Sequence, residues 1–350
     1  MRFSTGLIAG KFVDKFGERK VLGFGLFMVS FFTLLTGLAQ SYEQLLAFRS
    51  LGGLGSSMFS VSAGSLLMRS VSDEFRARAQ SLFNGGFLLG GITGPAFGGI
   101  LSAISLRAPF FVYSSTLAGA GVIALVFLSE KRLGKKVDLP SSKVGLTTLS
   151  QAFKLRPYQI ALMLAFINNW ILFGLRSSIL PLFVIEKLNS TAAIAGLGLT
   201  IGALVQGTFL LKAGKFSDKK GRRAAFLFGS AFVLFGILML AFTTNPLFYF
   251  IAMAFFGLGG AYVGTAPGSV VGDIIRGRGG QVIAVWQMAG DAGMMVGPVL
   301  LGFISDAFSY RTAIGVSAAV FSLAIIVALK IPETNSAHLG DSRKPPINEV

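Results

Sequence analysis

Apolar residues in this chain come in long runs separated by short polar gaps. The runs fall at roughly 21–40, 45–69, 79–104, 108–129, 157–185, 191–213, 224–243, 246–271, 280–305 and 309–330. A helix crosses a bilayer with about 20 mainly apolar residues, so each run is long enough to span one. A polar stretch at about 130–155 divides the runs, and a polar tail follows the last. The pattern predicts an all-α integral membrane protein with ten full spans and a shorter apolar stub at the N-terminus.

The polar gaps carry a repeat. Gly10-Lys11-Phe12-Val13-Asp14-Lys15-Phe16-Gly17-Glu18-Arg19 returns 204 positions later as Gly214-Lys215-Phe216-Ser217-Asp218-Lys219-Lys220-Gly221-Arg222-Arg223, with seven of ten residues identical. Gly53-Leu54-Gly55 matches Gly257-Leu258-Gly259 at the same offset, Gly64-Ser65 matches Gly268-Ser269, and Gly94-Pro95 matches Gly297-Pro298 at 203. Ordered matches at one offset predict two parallel copies joined by a linker, an architecture used by transporters. The expected layout is an N-terminal bundle over 1–130, a cytoplasmic linker over 131–155, a C-terminal six-helix bundle over 156–331 and a cytoplasmic tail over 332–350. The repeat also sets an expectation about length. About 57 residues of the second copy precede Gly214, but nine precede Gly10. The first copy is therefore expected to lack one helix and part of the next.

Charge fixes the expected sides. Lysine and arginine crowd into one alternating set of gaps, around Lys11 to Lys20, Arg76/Arg78, the linker, Lys212 to Arg223, Arg276/Arg278 and Arg343/Lys344. The other set carries only Arg107, Lys187 and Arg311. Basic loops stay in the cytoplasm, which predicts a multi-pass protein of the cell membrane with a cytoplasmic C-terminus. The net charge of +16 is accounted for by these loops, so no nucleic-acid partner is expected. Charged residues make up 13% of the chain and mean hydropathy is +0.71, against about 25% charge in a soluble domain. With no cysteine and a single histidine in the tail, no thiolate or histidine metal site is expected. No hydrolase or phosphate-loop constellation occurs, so neither an enzyme nor a cofactor is expected.

These loops resemble the major facilitator superfamily. Gly10, Asp14, Lys15, Gly17 and Arg19 are similar to its signature loop between the second and third helices, and Gly214, Asp218, Gly221 and Arg223 repeat it. Arg49 followed by Gly52, Gly53 and Gly55 resembles the family's fourth-helix motif. Gly90-Gly91-Ile92-Thr93-Gly94-Pro95-Ala96-Phe97-Gly98-Gly99 resembles the fifth-helix motif of drug:proton antiporters. The resemblance implies two pseudo-symmetric helix bundles, here lacking the first helix and part of the second. It implies a monomeric secondary transporter that exports small amphipathic compounds in exchange for protons by alternating access. A metabolite porter of the same fold, or a shortened membrane protein that does not transport, stays open as an alternative.

Physical chemistry gives the candidate residues their roles. Asp14 and Asp218 are anions beside helix ends, able to cap amide donors and to act as gating latches. Gly86, Gly90, Gly94 and Gly98, with Pro95, and Gly260, Gly264 and Gly268 recur every four residues and predict faces for close helix packing. Arg49 and Asp291 are charges within apolar spans, and such charges mark functional sites. Both are candidates for proton coupling, Arg49 chiefly through the resemblance; Asp291 could equally be a structural partner of Arg176. Asn168, Asn169, Arg176, Gln206, Trp286 and Gln287 are candidate cavity residues, Asn169 and Arg176 being expected on one helix face seven residues apart.

Overall fold

The computed structural model describes residues 2–128, 147–275 and 279–330. Arg276, Arg278, residues 131–146 of the expected linker and the tail lie outside the described residues. The helices are α1 (Arg2–Phe16), α2 (Glu18–Leu38), α3 (Tyr42–Ser70), α4 (Arg76–Ile104), α5 (Ala108–Phe127), a short α6 (Leu149–Lys154), α7 (Arg156–Asn169), α8 (Leu180–Glu186), α9 (Ala192–Lys220), α10 (Arg222–Phe242), α11 (Pro246–Val263), α12 (Ala266–Ile274), α13 (Gly280–Ala307) and α14 (Tyr310–Ala328). A π-helical stretch, Trp170–Ile179, joins α7 to α8. The protein is all-helical among the described residues, and every expected span has its helix. The stub forms α1.

Local chemistry sets the breaks. Gly17 (φ 87°) separates α1 from α2, and Gly221 (φ 101°) separates α9 from α10. Only glycine adopts that conformation cheaply, and each turns the chain in one residue. Four helices outside the basic loops start on a side-chain cap: Ser41, Thr191, Asn245 and Ser309 accept from the amides of Gln44, Ile194, Phe248 and Thr312. The run expected as one helix over 246–271 is two. The chain turns at Gly264 and Thr265, and Pro267, which has no N–H to continue the ladder, lies in the first turn of α12. Its counterpart α3 carries no proline and is continuous.

The π stretch likewise departs from the regular helix expected over 157–185. The hydroxyls of Ser177 and Ser178 donate five residues back, to the carbonyls of Leu172 and Phe173 at 2.9 and 2.8 Å. Pro181, just beyond, has no N–H to restore the tighter ladder. Bonding from i to i+5 widens the turn. Residues seven apart then no longer share a face.

Contacts gather the chain into two units. One comprises Met1–Val71, Gly90–Ala152 and Ile275–Met288; α2 lies against α3 and α5, and α1 against α3. The other comprises Ser72–Leu89, Phe153–Ile274 and Ala289–Val350; α11 lies against α9 and α10, and α14 against α10 and α7. Each unit thus draws one helix beginning from the other half of the sequence. The core of the second unit surrounds the π stretch, with Trp170, Leu175 and Phe183 beside Phe226, Tyr249 and Phe321. Many phenylalanines instead face outward, among them Phe24, Phe97, Phe235 and Phe303. Apolar side chains on the outside suit lipid, where burial of apolar surface drives no association and close backbone packing must.

That packing is repeated. A Cβ on Gly25 would come 2.8 Å from the Gly55 carbonyl oxygen, and one on Gly229 2.7 Å from that of Gly259. The two crossings are 204 positions apart, α2 on α3 and α10 on α11. The stripe Gly86, Gly90, Gly94 and Gly98 behaves differently: a Cβ on any of them meets nothing within 4 Å. The packing contact expected there is absent, because no described helix covers that face of α4. The side chain of Pro95 is outside the described residues. In the second stripe, Gly268 is buried in α12, Gly260 lies against Gln206, and Gly264 caps α11. Gly229→Ala is expected to lower stability in detergent by about 1–3 kcal/mol through overpacking. Gly94→Ala, entering open space in a helix, is expected to raise it by about 0.5–1 kcal/mol. Thermal unfolding of the two purified variants checks the opposite signs.

Candidate functional site

The first turn of a helix leaves its amide hydrogens without intrahelical acceptors. Asp14, in the last turn of α1, supplies them for α13. Its Oδ1 accepts from the Gly280 amide at 2.7 Å; its Oδ2 accepts from the Gln281 amide at 3.2 Å and the Gln281 side chain at 3.3 Å. Gly10 makes the approach possible, since a Cβ there would lie 2.8 Å from Gln281 Cα. A carboxylate facing the positive end of a helix dipole adds to the hydrogen bonds.

Asp218, in the last turn of α9, does the same for α4. It accepts from the amides of Ala77 and Arg78 at 3.1 and 3.2 Å and from Arg78 Nε at 3.0 Å. Gly214 is the matching close approach, its Cβ position 2.9 Å from Arg78 Cα. The amides of Gly280 and Gln281 are the counterparts of Ala77 and Arg78 at an offset of 203. Both signature loops therefore make one contact, each inside its own unit.

Two further ties obey the repeat. Gln287 Nε2 donates to the Ser60 carbonyl at 2.9 Å, and Asn84 Nδ2 to the Gly264 carbonyl at 3.0 Å. Glu18 pairs with Arg69 at 3.2 Å and accepts from Ser65 Oγ at 3.1 Å. At the equivalent positions Arg222 pairs with Asp273 at 3.2 Å, with the charges exchanged. Arg222 is 1% exposed, bonds Asp218 at 2.7 Å, and shares Asp273 with Arg76, also at 2.7 Å. Glu18, Arg69, Arg76, Asn84 and Asp273 were not among the expected site residues. Shifting each charge by 204 would have exposed the reversed pair, because Glu18 then falls on Arg222 and Arg69 on Asp273.

The remaining loop residues stay outside these ties. Lys15 is exposed, 5.3 Å from the Phe16 ring centroid. Arg19 donates to the Leu125 carbonyl, whereas Arg223 is exposed. Arg49 is exposed on α3 and makes no ion pair among the described residues.

The cavity candidates do not converge on one cluster. Asn169 donates to the Ala165 carbonyl and lies beside Gly290 of α13. Arg176 bonds Gln206 Oε1 at 3.2 Å and the Leu199 carbonyl at 3.4 Å, both on α9. The shared face expected for Asn169 and Arg176 is overturned by the π turn between them. Asp291 is half-buried on α13 and is not one of Arg176's partners. Asn168 is half-buried; the indole nitrogens of Trp170 and Trp286 are buried without a hydrogen-bond acceptor among the described residues.

The chain is similar to known proteins. The family model described as Major Facilitator Superfamily matches twice, over residues 3–189 and 162–348. The chain is 28% identical over 201 residues to multidrug resistance protein 1 of Bacillus subtilis, covering 57% of this chain and 50% of the relative. It is 31% identical over 320 residues to the synaptic vesicular amine transporter of Mus musculus, covering 86% of this chain and 58% of the relative. It thus spans little more than half the length of these relatives. The crystal structure of the human organic anion transporter MFSD10 superimposes with a TM-score of 0.77 at 14% identity, covering 93% of this chain and 80% of that one. With one family match in each half and little of the sequence outside them, the chain belongs to the Major Facilitator Superfamily.

Proposed function

We propose that this multi-pass membrane transporter exports small amphipathic compounds in exchange for protons, and that its two aspartate ties are latches made and broken in each cycle. The observation that carries this is the repeated contact of Asp14 with the start of α13 and of Asp218 with the start of α4. Each joins helices far apart in sequence through a handful of hydrogen bonds. Hydrogen bonds to a charged group contribute about 1.5–3 kcal/mol each. That is strong enough to favour one state and weak enough to release. The multidrug and amine transporters among the relatives support an amphipathic substrate.

The lysine- and arginine-rich loops support a cytoplasmic position for the latches and the C-terminus, in the cell membrane. The chain works as a monomer, since each latch is complete within it. Asp291 is the acid that takes up and releases the coupling proton: it is half-buried within a span, where a carboxylate changes charge at a cost the transport cycle can use. Arg49, which makes no ion pair among the described residues, is the accompanying cavity charge.

Asp14→Ala and Asp218→Ala are each expected to slow efflux of fluorescent amphipathic dyes at least tenfold, with membrane levels of the protein retained. Efflux at the unmodified rate in both variants would remove the latch. Asp291→Asn is expected to abolish uphill efflux driven by a proton gradient while leaving downhill dye exchange in proteoliposomes. Uphill efflux that persists in Asp291→Asn would show that another group carries the proton.

A further inference from the structure

Arg176 is the one cation of the second unit's apolar interior whose hydrogen bonds, among the described residues, go to neutral acceptors alone. It is 7% exposed. A guanidinium carries five N–H donors, and two are used, on Gln206 Oε1 at 3.2 Å and the Leu199 carbonyl at 3.4 Å. The first is at the long end of the normal range and the second lies beyond it. The other three N–H groups have no protein acceptor, and no carboxylate lies within ion-pair distance among the described residues. Arg222 makes the contrast: also buried, it is held between Asp218 and Asp273.

The surroundings are built to present this charge. The π turn carries Arg176 off the face of Asn169 and towards α9 and α11. There the guanidinium carbon lies 5.7 Å from the Phe256 ring centroid. Gly202 lets the guanidinium approach α9 closely, since a Cβ there would come 3.1 Å from Nη2. Among the described residues the amide nitrogen of Gln206 has no acceptor, so it offers one more donor next to the guanidinium. An unpaired charge inside a membrane protein is costly and marks a site that something else completes. A planar fork of N–H donors above an aromatic ring matches a carboxylate on an apolar body.

We propose that Arg176 and Gln206 form a binding site for the carboxylate of a small amphipathic monoanion, its apolar part lying along Phe256. This deepens the transport proposal by naming the charge of the substrate, and it rests on that proposal for the anion being cargo.

The test is calorimetric titration of the purified full chain with butylbenzoate, butylbenzamide and butylbenzylammonium, without any gradient. The expected result is that butylbenzoate binds at least tenfold more tightly than the amide, and the ammonium most weakly. Arg176→Gln should bring the benzoate down to the amide's affinity and leave the amide unchanged. Arg176→Lys, which keeps the charge but loses the fork, should fall between. Equal binding of the three probes, preference for the ammonium, or a benzoate preference that survives in Arg176→Gln would overturn the assignment. Should the variants not fold, the ranking of the three probes on the unmodified chain decides alone. A chain that binds the benzoate but moves nothing across proteoliposomes sinks the transport proposal and not this one. Dye transport without an anion preference does the reverse.

Discussion

A helix beginning inside a membrane protein has amide hydrogens that water cannot reach and its own backbone cannot satisfy. In this chain the first turns of α13 and α4 have that need, and a carboxylate at the end of another helix meets it. Around this requirement the neighbouring residues fall into place. Gly10 and Gly214 are glycines because a side chain there would strike the helix being capped. Gly17 and Gly221 turn the chain just beyond the aspartates at positive φ. The aspartates cannot move along the helix without losing register with the amides. The signature loop is thus explained by geometry at one helix start, used twice.

Duplication preserved geometry more closely than charge. The glycine crossings, the aspartate ties and the Gln287–Ser60 and Asn84–Gly264 bonds recur at an offset of 203 or 204. The buried ion pair recurs with its signs exchanged, Glu18 to Arg69 in one half and Arg222 to Asp273 in the other. What the site requires is one opposite-charge pair between two helices. Which helix carries the cation is free, provided both partners change together, because losing one leaves a buried charge uncompensated. In the second unit Arg76 and Arg78, which come from the first half of the sequence, join the cluster around Asp218 and Asp273.

The helices were legible in the sequence because a span needs little more than length and apolarity. The loops were legible because they repeat. Three features were not. The π turn at Trp170–Ile179 depends on competition between serine hydroxyls, Pro181 and the backbone ladder, which hydropathy does not register. It moved Arg176 away from Asn169. The split at Gly264 and Thr265 lay inside an uninterrupted apolar run. The role of Gly86, Gly90, Gly94 and Gly98 depends on what covers them, and spacing alone cannot say whether a smooth face is occupied. Their counterparts Gly293 and Gly297 do pack, against Phe166 and Trp170. The polar partners Glu18, Arg69 and Asp273 were hidden because each looks like an ordinary loop charge until its equivalent is compared.

The central claim is that Asp14 and Asp218 each hold one helix start. Backbone hydrogen exchange tests it at the atoms concerned. In the unmodified protein the amides of Gly280, Gln281, Ala77 and Arg78 should exchange slowly, although first-turn amides have no intrahelical acceptor. Asp14→Ala should release Gly280 and Gln281 and leave Ala77 and Arg78 protected; Asp218→Ala should do the opposite. Fast exchange at all four amides in the unmodified protein, or protection that neither substitution changes, would contradict the account.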